Sequence, residues 1–130
     1  MTTESMHLSI FIHRPCADVY TYARDPRNLP AWANGLSSAI REVDGRWVAD
    51  SPMGQVTVQF APANDLGVLD HDVTLPSGET VYNPVRVIPD GEHSEVVFTL
   101  RRREGMSSEA FRQDAEAVAA DLARLKQLLE

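Results

Sequence analysis

At 130 residues the chain has room for one hydrophobic core and not for two, so its simplest reading is a single domain over 1–130. Its 12 Lys and Arg against 19 Asp and Glu leave a net charge of −7, which argues against nucleic acid or an anionic membrane as the main partner. A single cysteine, Cys16, rules out an internal disulfide framework; with no apolar leader and no apolar run of membrane-spanning length, the expected setting is the cytoplasm.

Taken in order, His7 to His13 alternates, with Leu8, Ile10 and Ile12 on one side and Ser9, Phe11 and His13 on the other. That pattern predicts a strand with one face in the core. Pro15 suits the start of a helix, and Cys16, Val19, Tyr20 and Ala23 form a short helical stripe that Asp25-Pro26 breaks. A second short helix holds Leu29, Pro30 and Trp32 and ends at Asn34-Gly35.

A meander follows. Strands over Leu36 to Val43 and Arg46 to Ser51 flank Asp44-Gly45, a two-residue hairpin signal that sets Glu42 opposite Trp47 and Ile40 opposite Ala49. Pro52-Met53-Gly54 turns the chain into Gln55 to Phe60, and Pro62 to Asp65 turns it again. Gly67 to Leu75 then places Leu69, His71, Val73 and Leu75 on one face, with Asp70, Asp72 and Thr74 toward solvent. Thr80 to Ile88 gathers Val81, Asn83, Val85 and Val87 on one side, and Pro84 within it implies an edge or a bulge. After Pro89-Asp90-Gly91, Glu95 to Arg102 turns Val96, Phe98 and Leu100 inward, and Arg101-Arg102-Arg103 reads as a solvated strand end.

The last stretch, Ser107 to Glu130, carries apolar residues at Phe111, Ala115, Val118, Leu122, Leu125 and Leu129. Steps of three and four put them on one stripe of an amphipathic helix about 35 Å long, capped by Ser107 or Ser108. The resulting fold class is α+β: a curved seven-stranded antiparallel sheet around a long C-terminal helix, with two short helices after the first strand.

This layout resembles the START, polyketide cyclase and birch-pollen-allergen superfamily (SRPBCC), whose helix-grip fold wraps a curved sheet around a long C-terminal helix. The residues that carry the likeness are Ile12-His13-Arg14-Pro15 into Val19-Tyr20, Asp25-Pro26, Leu29-Pro30-Ala31-Trp32, and the closing Asp121-Leu122-Ala123-Arg124-Leu125-Lys126. A middle segment, Asn64-Asp65-Leu66-Gly67-Val68-Leu69-Asp70-His71, is similar to a narrower bacterial subgroup of unassigned activity. The resemblance implies a cavity between sheet and helix for a small hydrophobic or aromatic molecule. It also implies alternatives: a cyclase or dehydratase, or a co-chaperone-like interaction module.

His71 is a titratable group on an otherwise apolar strand face. It is either an acid/base or ligand contact, or a core histidine satisfied by a polar neighbour. Asn83 occupies the equivalent place on the next strand, as its partner or as a group that satisfies backbone near Pro84. Small residues at Ala115 and Ala119, beside Val118, predict the cavity beneath that half of the helix, faced by Trp32, Phe60, His71, Asn83 and Phe98. Trp47 belongs at a rim, and Cys16 reads as a packing residue. Phosphate loops, nucleophile elbows and metal-ligand spacings do not occur, so neither cofactor nor metal is expected; a homodimer is allowed for.

Overall fold

A computed structural model describes residues 4–33, 39–52 and 54–130. Among them the chain runs through β1 (Ser5–Ile12), α1 (Cys16–Ala23), a 3-10 turn (Pro26–Asn28), α2 (Leu29–Trp32), β2 (Ile40–Val43) and β3 (Arg46–Ser51). It continues through β4 (Gly54–Phe60), β5 (His71–Thr74), β6 (Thr80–Asn83), β7 (Val85–Asp90), β8 (His93–Arg101) and α3 (Ser108–Leu129). The expected helix end at Asn34-Gly35, the strand start at Leu36 and the turn residue Met53 lie outside the described residues.

Local signals account for most of these elements. Asp44 and Gly45 both take positive φ, 53° and 78°, the geometry a two-residue hairpin needs, and Glu42 faces Trp47 while Ile40 faces Ala49. The Ser107 hydroxyl accepts the Ala110 N–H at 3.0 Å and caps α3. Asp25 accepts the Arg27 N–H at 3.1 Å and opens the 3-10 turn.

The strands do not form one seven-stranded sheet. All pairs are antiparallel, but they fall into a three-stranded sheet, β1-β8-β7, and a five-stranded sheet, β2-β3-β4-β5-β6. Pro84 is the reason: it has no N–H to give a ladder, so the predicted Thr80 to Ile88 strand divides into β6 and β7, one in each sheet. Its carbonyl still accepts from the Thr99 N–H at 2.9 Å. The side-chain alternation survives the break, with Val85 and Val87 buried and Arg86 and Tyr82 outside.

A seam joins the two sheets. Regular pairing in the predicted Gly67 to Leu75 strand begins only at His71, because Gly67 to Leu69 bonds to β7 instead. The Val87 N–H donates to the Gly67 carbonyl and the Leu69 N–H to the Val85 carbonyl, each at 2.8 Å. Gly67 has φ 72°, and a Cβ there would lie 2.2 Å from the Val87 carbonyl oxygen, so only glycine allows this approach. Asn64 shapes the preceding loop: its Oδ1 accepts from the N–H groups of Leu66 and Val68 at 3.0 and 3.1 Å.

The helix covers the sheets as the stripe predicts. Phe111, Ala115, Leu122 and Leu125 are buried, and Val118 and Leu129 are partly buried. Its carboxyl end is fastened to the end of β1 by polar contacts. Lys126 Nζ donates to the Phe11 carbonyl at 2.8 Å, the Glu130 carboxylate accepts the His13 N–H at 2.8 Å, and Arg14 donates to the Leu129 carbonyl at 2.9 Å. Cys16 packs on the core with its thiol toward the Val87 carbonyl, and burial raises its pKa, which suits packing and not nucleophilic work. The arginine run is less free than expected, since Arg102 pairs with Glu4 and Arg103 with Glu79. Among the described residues no helix is long and apolar enough to cross a membrane.

Candidate functional site

Between the amino-terminal half of α3 and the inner face of β5, β6 and β8 lies a cleft of about 510 Å³. Val73, Val81, Phe98, Leu100 and Val118 form its apolar wall, and Asn83 interrupts that wall with an amide. Charged residues, among them Glu79, Arg103, Glu104 and Asp114, stand around the same cleft. The wall follows from strand alternation: Val73, Val81 and Asn83 share the face opposite Asp72 and Tyr82.

Behind Asn83 stands His71, its direct cross-strand partner. The imidazole is 8% exposed, with Phe60 on one side at a ring separation of 5.0 Å and Phe98 edge-on at 6.2 Å. Nδ1 lies 3.1 Å from the Leu69 carbonyl oxygen and Nε2 lies 3.4 Å from Asn83 Nδ2. Burial lowers the pKa of His71 below its usual value, and this outweighs the opposing pull of the Leu69 carbonyl and of Asp70 and Asp72. The ring is therefore neutral at pH 7.

Other predicted residues are placed differently. Ala115 is buried, packed with Leu100 and Phe111 instead of leaving space, and the cavity-lining alanine is Ala117. Ala119 is exposed, one step too far round the helix to face the sheet. Trp32 is 7% exposed and packs in the core near α3, where its carbonyl accepts from Arg124 Nε at 3.3 Å; it does not line the cleft. Among the described residues its buried indole N–H has no hydrogen-bond partner. Phe60 reaches the site only through its contact with His71, and Trp47 with Glu42 lines a separate groove beside the 3-10 turn.

Asp70 does not face open solvent. It is 7% exposed and accepts from the Val85 N–H at 2.9 Å, from Arg86 Nε at 3.0 Å, from Arg86 Nη2 at 2.9 Å, and from the Tyr82 hydroxyl. Burial alone would raise its pKa, but the bonds from Arg86, Tyr82 and Val85 prevail and bring it down to about 2. Strand alternation alone puts Tyr82 and Arg86 on the outer face unless a bulge at Pro84 reverses one of them; it does not show that a carboxylate at the seam gathers both. Asp70 and His71 thus act on opposite faces, the one joining the sheets and the other backing the cleft. Among the described residues no three His, Cys, Asp or Glu side chains converge as a metal site.

The fold has solved counterparts. XoxI from Bacillus cereus superposes with a TM-score of 0.75 at 15% identity, over 96% of this chain and 94% of that one. A START superfamily protein from Mycobacterium smegmatis gives 0.68 at 12% identity, over 96% of each chain. A point mutant of norcoclaurine synthase from Thalictrum flavum, in complex with a transition-state analogue, gives 0.67 at 14% identity, over 98% of this chain and 94% of that one. At such identities the likeness concerns the fold alone. No curated protein matches in sequence. Over residues 3–130, however, the sequence matches the family described as polyketide cyclase / dehydrase and lipid transport, and the chain belongs to that family.

Proposed function

We propose that the cleft beneath the first half of α3 binds a small hydrophobic or aromatic molecule. The observation that carries this reading is an apolar wall broken by a single half-buried amide, Asn83, in a space of about 510 Å³. Sites for small ligands commonly join an apolar wall to placed polar groups in volumes of roughly 300–1,000 Å³, and here Glu79, Arg103, Glu104 and Asp114 also stand around the space. Acid–base catalysis by His71, as in a cyclase or dehydratase, is less well supported: both ring nitrogens are engaged, on Leu69 and Asn83, and the ring stands behind the wall. An interaction module would call for a filled space where the cleft is open. The reading also treats residues 1–130 as one domain.

Val118→Trp would test the proposal, because Val118 lines the cleft and is only partly buried. The larger ring should fill the space and abolish binding of the apolar fluorophore N-phenyl-1-naphthylamine while the fold melts cooperatively. Ala119→Leu, on the exposed side, should leave both unchanged. Unaltered probe affinity in a folded Val118→Trp protein would remove the cleft from consideration.

A further inference from the structure

We infer that Asn83 presents its amide oxygen to the cleft, so that the preferred ligand carries a hydroxyl or N–H donor on its apolar or aromatic body. This rests on the cleft being a ligand site and adds the chemistry that the site selects.

A chain of hydrogen bonds decides the orientation. The Leu69 carbonyl can only accept, so the His71 nitrogen 3.1 Å from it, Nδ1, carries the proton. In a neutral imidazole the other nitrogen, Nε2, then offers a lone pair, and Asn83 stands 3.4 Å from it. A lone pair calls for a donor, so the amide turns its NH2 group toward His71. The reverse orientation would set Oδ1 against that lone pair. Phe60 and Phe98 enclose the ring and provide no charge to protonate it, and Asp72 lies on the opposite face of β5. Asp70, the other nearby carboxylate, is committed to Arg86 and Tyr82.

One N–H of the Asn83 amide is used on His71; the second N–H and Oδ1 are left, and among the described residues nothing donates to Oδ1. The neighbouring wall residues Val73, Val81, Phe98 and Val118 cannot donate either. A ligand donor placed against this oxygen gains a bond that the protein does not supply, whereas an ether or a bare hydrocarbon leaves the acceptor desolvated and unmatched. His71 is thus a positioning residue: it selects which end of the amide the ligand meets.

The test compares 2-naphthol with 2-methoxynaphthalene, equal in ring system and different in the donor, by calorimetric titration of the full chain. In the wild type 2-naphthol should bind about fivefold or more tightly than the ether. Asn83→Leu, which removes the acceptor, and His71→Phe, which keeps a ring but frees the amide to turn, should each bring the ratio close to one. Thermal melts establish that both variants fold. Equal affinities in the wild type, or a preference that survives in both folded variants, would overturn the inference. If neither naphthalene binds, the cleft fails as a ligand site, and the orientation is then judged on its own. For that, 15N NMR of the wild-type imidazole at pH 7 suffices. A protonated Nδ1 with a bare Nε2 supports the assignment, and a proton on Nε2 overturns it.

Discussion

Gly67→Ala offers a sharp test of how the two sheets are held together. Gly67 sits at φ 72°, where an L side chain costs about 1–2 kcal/mol. The added methyl would also lie 2.2 Å from the Val87 carbonyl oxygen, a backbone atom that no rotamer change can move. Relief requires the loop to retreat from β7, which breaks the 2.8 Å bond from the Val87 N–H to the Gly67 carbonyl at about 1 kcal/mol. The total is about 2–3 kcal/mol, or a fall in melting temperature of roughly 6–15 °C for a chain of this size. Gly91→Ala is the internal control: its φ is 61°, but nothing lies within 4 Å of its Cβ, so only the backbone cost of about 1–2 kcal/mol applies. Urea unfolding of both variants separates the terms. If Gly67→Ala proves no more damaging than Gly91→Ala, the close approach at the seam does not constrain the fold as argued.

Leu122→Ala should destabilise the protein by about 2–5 kcal/mol in the same assay, since Leu122 is 2% exposed beneath α3. Asp70→Asn should cost about 1.5–3 kcal/mol near neutral pH by weakening the Arg86 contacts. Because the Asp70 pKa is held down at about 2, its contribution is complete above the ordinary carboxylate range and is lost as pH falls toward 2. The gap between wild type and Asp70→Asn, measured by urea unfolding, should therefore close over that interval; a constant gap would contradict the assignment. His71 has a lowered pKa, so its contribution is full above about pH 6.5 and declines as acid protonates the unfolded chain more readily than the folded one. NMR titration should find the imidazole neutral at pH 7, and His71→Phe should flatten that part of the stability profile.

Local and periodic properties were legible in the sequence itself. The α3 stripe from Phe111 to Leu129, a cap at Ser107 or Ser108 (Ser107 in the structure), the Asp44-Gly45 turn with its register, and the pairing of His71 with Asn83 follow from short-range steric and hydrogen-bonding rules. So did the inward faces of the strands, because a period of two leaves each side chain only one alternative. What tertiary structure decided lies where segments distant in sequence meet. Whether Pro84 bulged an edge strand or divided it depended on what lay across from it, and the answer was a seam with Gly67 to Leu69. The gathering of Tyr82 and Arg86 on Asp70 required two sheets to converge at one carboxylate. Likewise, a small residue on a helix stripe does not reveal whether it leaves space or lets the sheet approach. Ala115 does the latter, the cleft opens beside Ala117 and Val118, and Ala119 looks outward. Periodicity specifies a face to within a helical step, whereas the gap between helix and sheet is set by side chains that only the assembled core brings together.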